Sequence, residues 1–282
     1  MRHPFTVALC AAALGALAGC DAPSGGNEVD RALADIDVVD ETNLSDVMLS
    51  AADPAEAVRY FQRAAEQNPD RLDLKRGLAK SLVRAGRTTE AVPAWERVTA
   101  DEGATHADAV AFADALIRAG DWARAEEVLD AIPPTHETFR RYRLEAMVAD
   151  ANEEWETADS FYETAVGLTT QPAGVLNNWG YSKLTRGAPA EAERLFAQAI
   201  RQDPELFTAK NNLVLARGAQ GKYTLPVIPM TQTERAQLLH TLGLSAVKRG
   251  DVATGEGLFR DALETHPQYY EPAARSLAAL ED

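Results

Sequence analysis

An alanine recurs along much of the sequence at nearly constant intervals. The intervals are 34, 34, 33 and 34 for the series Ala57, Ala91, Ala125, Ala158 and Ala192. A large apolar side chain follows each alanine after four residues, one helical turn further along the same face: these are Phe61, Trp95, Leu129, Tyr162 and Phe196. A repeat of this length holds two antiparallel helices that bury their apolar faces against neighbouring repeats. The pattern therefore predicts an all-α chain of stacked helix-turn-helix units.

One unit shows most of the residues that close helix packing requires. Gly180 and Ala192 are predicted to mark the crossing of its two helices, because helices approach closely only where side chains are small. Gly187 follows the first helix, where a left-handed residue often ends a helix, and Pro204 ends the second. With Phe196, these residues are spaced as in the tetratricopeptide repeat, which they resemble. The resemblance implies a superhelical solenoid of about six to seven units.

Residues 1–19 have the features of a bacterial secretion signal. Arg2 precedes an apolar run over 5–18 that is too short to span a bilayer comfortably. The sequence LAGC at 17–20 resembles a lipobox, and this resemblance implies cleavage before Cys20 and acylation of Cys20. An ordinary signal peptide with an incidental cysteine is the alternative interpretation.

Residues 20–37 are predicted to be an acidic, flexible tether. The stretch from Asp21 to Val58 contains ten acidic residues and one basic residue, Arg31, and its beginning is polar and shows no periodicity. Asp21 resembles an inner-membrane retention signal of enteric bacteria. We therefore expect a periplasm-facing lipoprotein, held at the outer membrane or, given Asp21, at the inner membrane.

The solenoid is predicted to occupy residues 38–282, beginning with a degenerate unit whose first helix is weak. Pro133 and Pro134 are expected to shorten the second helix of one unit. Glu153 stands at the turn position that glycine occupies in other units.

A larger irregularity is predicted over residues 222–231. Pro226 takes the position of the periodic alanine and Pro229 follows it, so a regular helix is excluded there. Thr231 and Glu234 have the spacing of a capping box, which predicts that a new helix begins at this point. The tail YYEPAARSLAAL is expected to form a C-terminal capping helix.

Composition argues against several classes of function. The chain has 28 basic and 43 acidic residues, a net charge of -15, which disfavours nucleic acid as a partner. Cys10 lies in the segment expected to be removed, so no second thiol remains for a disulfide or a thiolate metal site. Neither a catalytic motif nor a phosphate-binding loop is recognisable. A histidine metal site is not expected either, since no paired helical spacing occurs among His106, His136, His240 and His266.

Exposed positions on the first helices are predicted to line a concave groove that binds a protein segment. The candidates are Arg140, Arg143, Asn177, Tyr181, Asn211, Leu215 and His240. Asn177 and Asn211 lie one repeat period apart, and amide side chains at this spacing can bind a peptide backbone through paired donors and acceptors. Asparagine is also common at these positions in ordinary repeats, which is the alternative.

Residues 172–280 carry a more specific resemblance. The sequences NNWGYSKLTRGAPAEAERLFAQAIRQDPELFTAKNNLVLARGAQGKY and LPVIPMTQTERAQLLHTLGLSAVKRGD resemble the TadD lipoproteins of Tad/Flp pilus assembly systems. This resemblance implies a non-enzymatic, pilotin-like scaffold that helps to localise or assemble a secretin. Its partners would be proteins of the pilus or secretin, together with the membrane that holds acylated Cys20; no cofactor and no small-molecule substrate are expected. The alternatives are an envelope scaffold for outer-membrane barrel or peptidoglycan enzyme assembly, and an enzyme with converging titratable groups in a pocket.

Overall fold

The computed structural model describes residues 44–281. The predicted signal peptide 1–19, the acylation site Cys20 and the tether 20–37 lie outside the described residues. Within them the chain forms fourteen helices and no strand, which confirms the predicted all-α class. No helix in this part of the chain is long and apolar enough to cross a membrane.

The helices follow one another with short connections. In chain order they are α1 (44–50), α2 (Pro54–Gln67), α3 (Leu72–Arg84), α4 (Thr88–Thr99), α5 (His106–Ala119), α6 (Trp122–Asp130), α7 (Phe139–Ala151), α8 (Trp155–Gly167), α9 (Ala173–Thr185), α10 (Pro189–Gln202), α11 (Phe207–Ala219), α12 (Gln232–Lys248), α13 (Val252–Thr265) and α14 (Glu271–Glu281).

The helices pair as the alanine period predicts. Odd-numbered helices from α3 to α9 are the first helices of units and even-numbered helices from α4 to α10 are the second, while α12 and α13 form the last pair. By the alanine period, α2 is the second helix of the first unit. The periodic alanines are all fully buried on the second helices: Ala57, Ala91, Ala125, Ala158 and Ala192. One apolar cluster extends from Val58 on α2 to Val148 on α7, so neighbouring units share their core. The architecture is a solenoid in which each unit stabilises the next.

An aromatic ring fills the predicted crossing at Gly180. A Cβ atom at this position would lie 2.7 Å from Cε1 of Phe196, much closer than carbon atoms can approach. Gly243 on α12 stands in the same relation to Phe259 on α13, where the distance would be 2.5 Å. Glycine is therefore required at both positions because the partner helix presents a ring.

The turns between paired helices use a left-handed residue, and one of these residues is not glycine. Gly86, Gly120 and Gly187 have φ angles of 68°, 81° and 82° at their turns. Glu153 occupies the equivalent turn between α7 and α8 with φ of 61°. The predicted departure at Glu153 thus leaves the turn geometry unchanged and places an L side chain in a conformation that costs about 1–2 kcal/mol.

No helix forms between Ala219 and Gln232, the stretch that contains Pro226 and Pro229. Tyr223, Leu225 and Met230 pack against the apolar cluster of α11, α12 and α13. The extended segment therefore covers core surface in the absence of a second helix.

Glu193 on α10 holds the start of this segment. Its carboxylate accepts hydrogen bonds from Arg217 Nη1, Gln220 Nε2 and Lys222 Nζ, each at 2.8 Å. Burial acts to raise the pKa of Glu193, but these three donors outweigh it and hold the pKa below its ordinary value. The segment is thus tied to the preceding unit by one ionised carboxylate.

Lys210 and Glu234 connect α11 directly to α12. Lys210 is 1% exposed, and its Nζ donates to Glu234 Oε1 at 2.8 Å. Glu234 also accepts from the backbone nitrogen of Thr231 at 2.7 Å, and Thr231 Oγ1 accepts from the backbone nitrogen of Glu234, which confirms the predicted capping box. Burial acts to raise the pKa of Glu234, yet the bonds from Lys210 and Thr231 lower it overall.

We expect Glu153→Gly to stabilise the protein by about 0.5–1 kcal/mol, because relief of the left-handed strain exceeds the entropy that glycine loses on folding. Thermal and urea unfolding measure the change. Glu154→Gly is the matched control, since Glu154 is also exposed and has φ of -85°. Equal effects of the two substitutions would contradict the assignment of strain to Glu153.

We expect Lys210→Met to destabilise the protein by about 2–4 kcal/mol at pH 7, because Glu234 loses its buried partner. Because the pKa of Glu234 is lowered in the folded state, its ionised carboxylate contributes to the free energy of unfolding above about pH 4.5. This contribution is lost as the pH falls through the pKa that Glu234 has in the folded state. The free energies of unfolding of Lys210→Met and of the unchanged chain should therefore become more similar at acid pH. Urea unfolding from pH 7 to pH 3 measures this, with exposed Lys248→Met as control. A constant difference would show that Lys210 acts through packing alone.

Candidate functional site

Two pockets lie along the first helices of the solenoid. The first, which we call the basic pocket, has a volume of about 550 Å³ and lies between α3, α5 and α7, with Leu49 and Trp95 at its margin. The second, the amide pocket, has a volume of about 470 Å³ and is formed mainly by α7, α9 and α11. Both are open, which is the shape expected of a groove that accepts part of a protein chain.

The basic pocket is positively charged, although the chain as a whole is negatively charged. It is lined by five cationic side chains: Lys80, Arg84, Arg118, Arg140 and Arg143. Asp114 is the carboxylate among the lining residues, and it accepts from Arg118 Nε at 2.7 Å and lies 3.5 Å from Arg143 Nη2. The pocket thus retains a strong positive charge in a protein whose net charge is -15.

Arg143 lies deepest in this arrangement. Burial lowers the pKa of its guanidinium, and the nearby charges of Arg118 and Arg140 act in the same direction, while Asp114 opposes them. The Nε of Arg143 is buried and has no acceptor among residues 44–281. Since arginine stays protonated even so, the pocket holds a partly desolvated positive charge with an unused donor.

Apart from Asp150, the amide pocket is lined mainly by neutral polar and aromatic side chains. Tyr181 is 55% exposed at its rim, and Asn177, Asn178 and Asn212 line its wall. Asn212 Nδ2 donates to Asn177 Oδ1 at 3.0 Å, which joins α11 to α9. The Nδ2 of Asn177 has no acceptor in the part of the chain that the structure describes, so it is available to a ligand.

A half-buried carboxylate also lines the amide pocket. Asp150 on α7 accepts from Ser182 Oγ at 2.7 Å and from the Tyr162 hydroxyl at 2.9 Å. Burial raises the pKa of Asp150, which the two hydroxyl bonds oppose, and burial likewise raises the pKa of Tyr162. These two hydrogen bonds join α7 to α8 and to α9, so the group supports the wall of the pocket.

The other predicted groove residues are dispersed. Asn211 Oδ1 accepts from Thr241 Oγ1 at 2.8 Å, and Leu215 is half-buried on α11. His240 packs under the C-terminal helix, where its Nε2 lies 2.9 Å from Ser276 Oγ and its ring contacts Tyr270. Burial lowers the pKa of His240, which favours the neutral imidazole. Thus Arg140 and Arg143 share one pocket, Asn177 and Tyr181 share the other, and His240 lies apart from both.

Sequence reasoning missed three cations of the basic pocket. Arg84 and Arg118 lie one repeat period apart at equivalent positions of successive units, so the period contained the signal. Lys80 lies one helical turn before Arg84. Among residues 44–281, no three histidine, cysteine, aspartate or glutamate side chains converge as metal ligands.

Comparison with known proteins identifies the fold. Residues 43–107 match the tetratricopeptide repeat family. A tetratricopeptide repeat protein from Parabacteroides merdae is similar with a TM-score of 0.56 and 14% identity, over 85% of this chain and 97% of that one. A thermophilic TPR protein from Thermus thermophilus gives a TM-score of 0.55 and 17% identity, over 62% of this chain and 95% of that one.

A chain of the APC/C hetero-tetramer Cut9–Hcn1 gives a TM-score of 0.60 and 11% identity, over 84% of this chain. This protein spans about half of that longer chain, 48% of its length. No curated protein sequence matches this one. The paired helices, the matched repeats and these neighbours together show that the chain folds as a tetratricopeptide-repeat solenoid.

Proposed function

We propose that this protein is a lipid-anchored, non-enzymatic scaffold that binds protein partners during Tad/Flp pilus assembly or secretin localisation. The observation that carries a binding role is the pair of open pockets along the first helices, whose unused donors face a groove. Nitrogens such as Asn177 Nδ2 suit the carbonyl groups of a peptide. Tetratricopeptide solenoids use such concave surfaces to bind protein segments.

The assignment to the pilus apparatus rests on the resemblance of residues 172–280 to TadD lipoproteins. The part of that resemblance most distinctive in sequence is the stretch with Pro226 and Pro229. In the structure this stretch is fixed by Glu193 and packed on the core, while Val227 projects fully exposed. An ordered apolar projection of this kind supports a second contact with a partner.

In-cell photocrosslinking at Tyr181 and Val227, followed by mass spectrometry, tests the proposed partners. Capture of a secretin or a pilus assembly protein supports the proposal. Arg194, exposed on the outer helix α10, is the control position. Capture of outer-membrane barrel assembly or peptidoglycan proteins would overturn the pilus assignment and leave the fold unaffected.

We expect Cys20→Ser to abolish membrane attachment, because the thiol that carries the acyl chains is removed. Metabolic labelling with a palmitate analogue and membrane fractionation measure the loss. Cys10→Ser is the matched control, since it removes a thiol from the segment expected to be cleaved. Labelling that persists in Cys20→Ser, or disappears in Cys10→Ser, would contradict the lipobox assignment.

We expect Asn177→Asp combined with Asn211→Asp to weaken binding of the captured partner by about fivefold to tenfold. Aspartate keeps the acceptor oxygens that Asn212 and Thr241 use, and it removes the donors that would bind a peptide. Titration calorimetry measures the affinity. Asn177→Ala should also lower stability by about 1 kcal/mol, because Asn212 loses its acceptor. Unchanged affinity would place the interface away from both Asn177 and Asn211.

A further inference from the structure

The charge of the basic pocket is unusual for this chain. Five cationic side chains from α3, α5 and α7 surround a single carboxylate, Asp114, whereas acidic residues outnumber basic ones by 43 to 28 overall. Like charges held within one pocket repel each other, so the arrangement costs free energy when it is unoccupied. A bound anion would reverse that cost.

Several donors in the pocket have no acceptor. Lys80 and Arg140 form no ion pair with any residue between 44 and 281, and Arg143 leaves its buried Nε without an acceptor. Lys80 and Arg140 are exposed, so their charges are accessible to a ligand. Buried polar groups are normally hydrogen-bonded, so the unused Nε of Arg143 adds to the case for a ligand that supplies acceptors.

Arg84 contributes a positive charge to the pocket, and its hydrogen-bond partners are uncharged backbone carbonyls. Its guanidinium donates to the backbone oxygens of Met48 at 2.9 Å, Leu49 at 2.5 Å and Ala52 at 2.7 Å. These carbonyls fix the side chain at the edge of the pocket but carry no formal charge. The positive charge of Arg84 therefore contributes to the field of the pocket in a fixed position.

Apolar side chains line the pocket together with the cations. Leu49, Val83, Val110 and Leu144 line the same pocket. A free phosphate or a sugar-phosphate backbone has no apolar groups to pack against them. A polypeptide that alternates carboxylates with apolar side chains satisfies both features at once.

We propose that the basic pocket binds an acidic peptide segment of the protein partner, with carboxylates on Lys80, Arg140 and Arg143 and apolar side chains between them. This rests on the proposed function only in that the ligand is a protein. The chain's net charge of -15 disfavours binding of an acidic segment elsewhere, so binding is directed to this pocket.

Fluorescence anisotropy with the full chain in detergent tests the proposal. The probe is a fluorescein-labelled ten-residue peptide that alternates Asp or Glu with Leu, and the comparison peptide replaces each acid by its amide. We expect the acidic peptide to bind at least tenfold more tightly, with an affinity that falls as salt is raised from 50 to 500 mM. Equal binding of the two peptides would overturn the proposal.

Substitutions that remove charge from the pocket or from α10 test where the peptide binds. Lys80→Gln with Arg140→Gln should lower the affinity about tenfold, since both side chains are unpaired within the described residues and their loss leaves the fold intact. Arg194→Gln with Arg201→Gln removes the same charge from exposed positions on α10 and should have little effect. An equal loss in both pairs would show a general effect of charge and contradict the proposed pocket.

Two further results would also overturn it. A ten-residue single-stranded RNA that binds more tightly than the acidic peptide would reassign the pocket to nucleic acid. A tenfold gain in peptide affinity after amide replacement of Glu28, Asp30, Asp35, Asp37, Asp40 and Glu41 would assign it to the chain's own amino-terminal segment. Peptide binding without capture of a pilus protein in cells would overturn the proposed function alone, so the two failures are distinguishable.

Discussion

Stacking between neighbouring helix pairs is the constraint on which the rest of this structure depends. A single pair cannot bury both of its apolar faces, so each unit needs the next one for stability. The buried alanines, such as Ala192, and the rings that meet Gly180 and Gly243 bring the two helices of a pair together. The apolar cluster from Val58 to Val148 then joins one pair to the next. Because the contact repeats once in every period, the first helices are placed side by side, and their side chains form continuous pockets.

The same constraint explains how the chain tolerates the missing helix after α11. A gap in the stack would expose core surface, and apolar side chains of the extended segment cover it. Two ion pairs hold this arrangement in place. Glu193 binds the start of the segment to the unit before it. Lys210 and Glu234 bind α11 to the unit after it. The second contact also completes the amino-terminal cap of α12, so the restart of the repeat and the bridge between units depend on one carboxylate.

The sequence allowed most of the fold to be predicted, because alanine, glycine and proline report backbone and packing requirements locally. The period identifies Glu153 as a departure, but only the structure shows its left-handed φ. The site was less predictable. The bond between Asn177 and Asn212 joins residues of different units, and the burial of His240 depends on how the last helix docks. Local periodicity specifies neither contact.

The net charge of the chain does not predict the basic pocket, because this pocket too is formed by residues of different units. An average over the chain says little about a field that is generated within a few ångströms, since charges are screened beyond about 8 Å at physiological salt. Arg84, Arg118 and Arg143 belong to three different units, and the sequence between them contains many acidic residues. Superhelical stacking places them on one surface. The first helices therefore present two chemically different pockets, a cationic one formed by α3, α5 and α7 and an amide-rich one formed mainly by α7, α9 and α11.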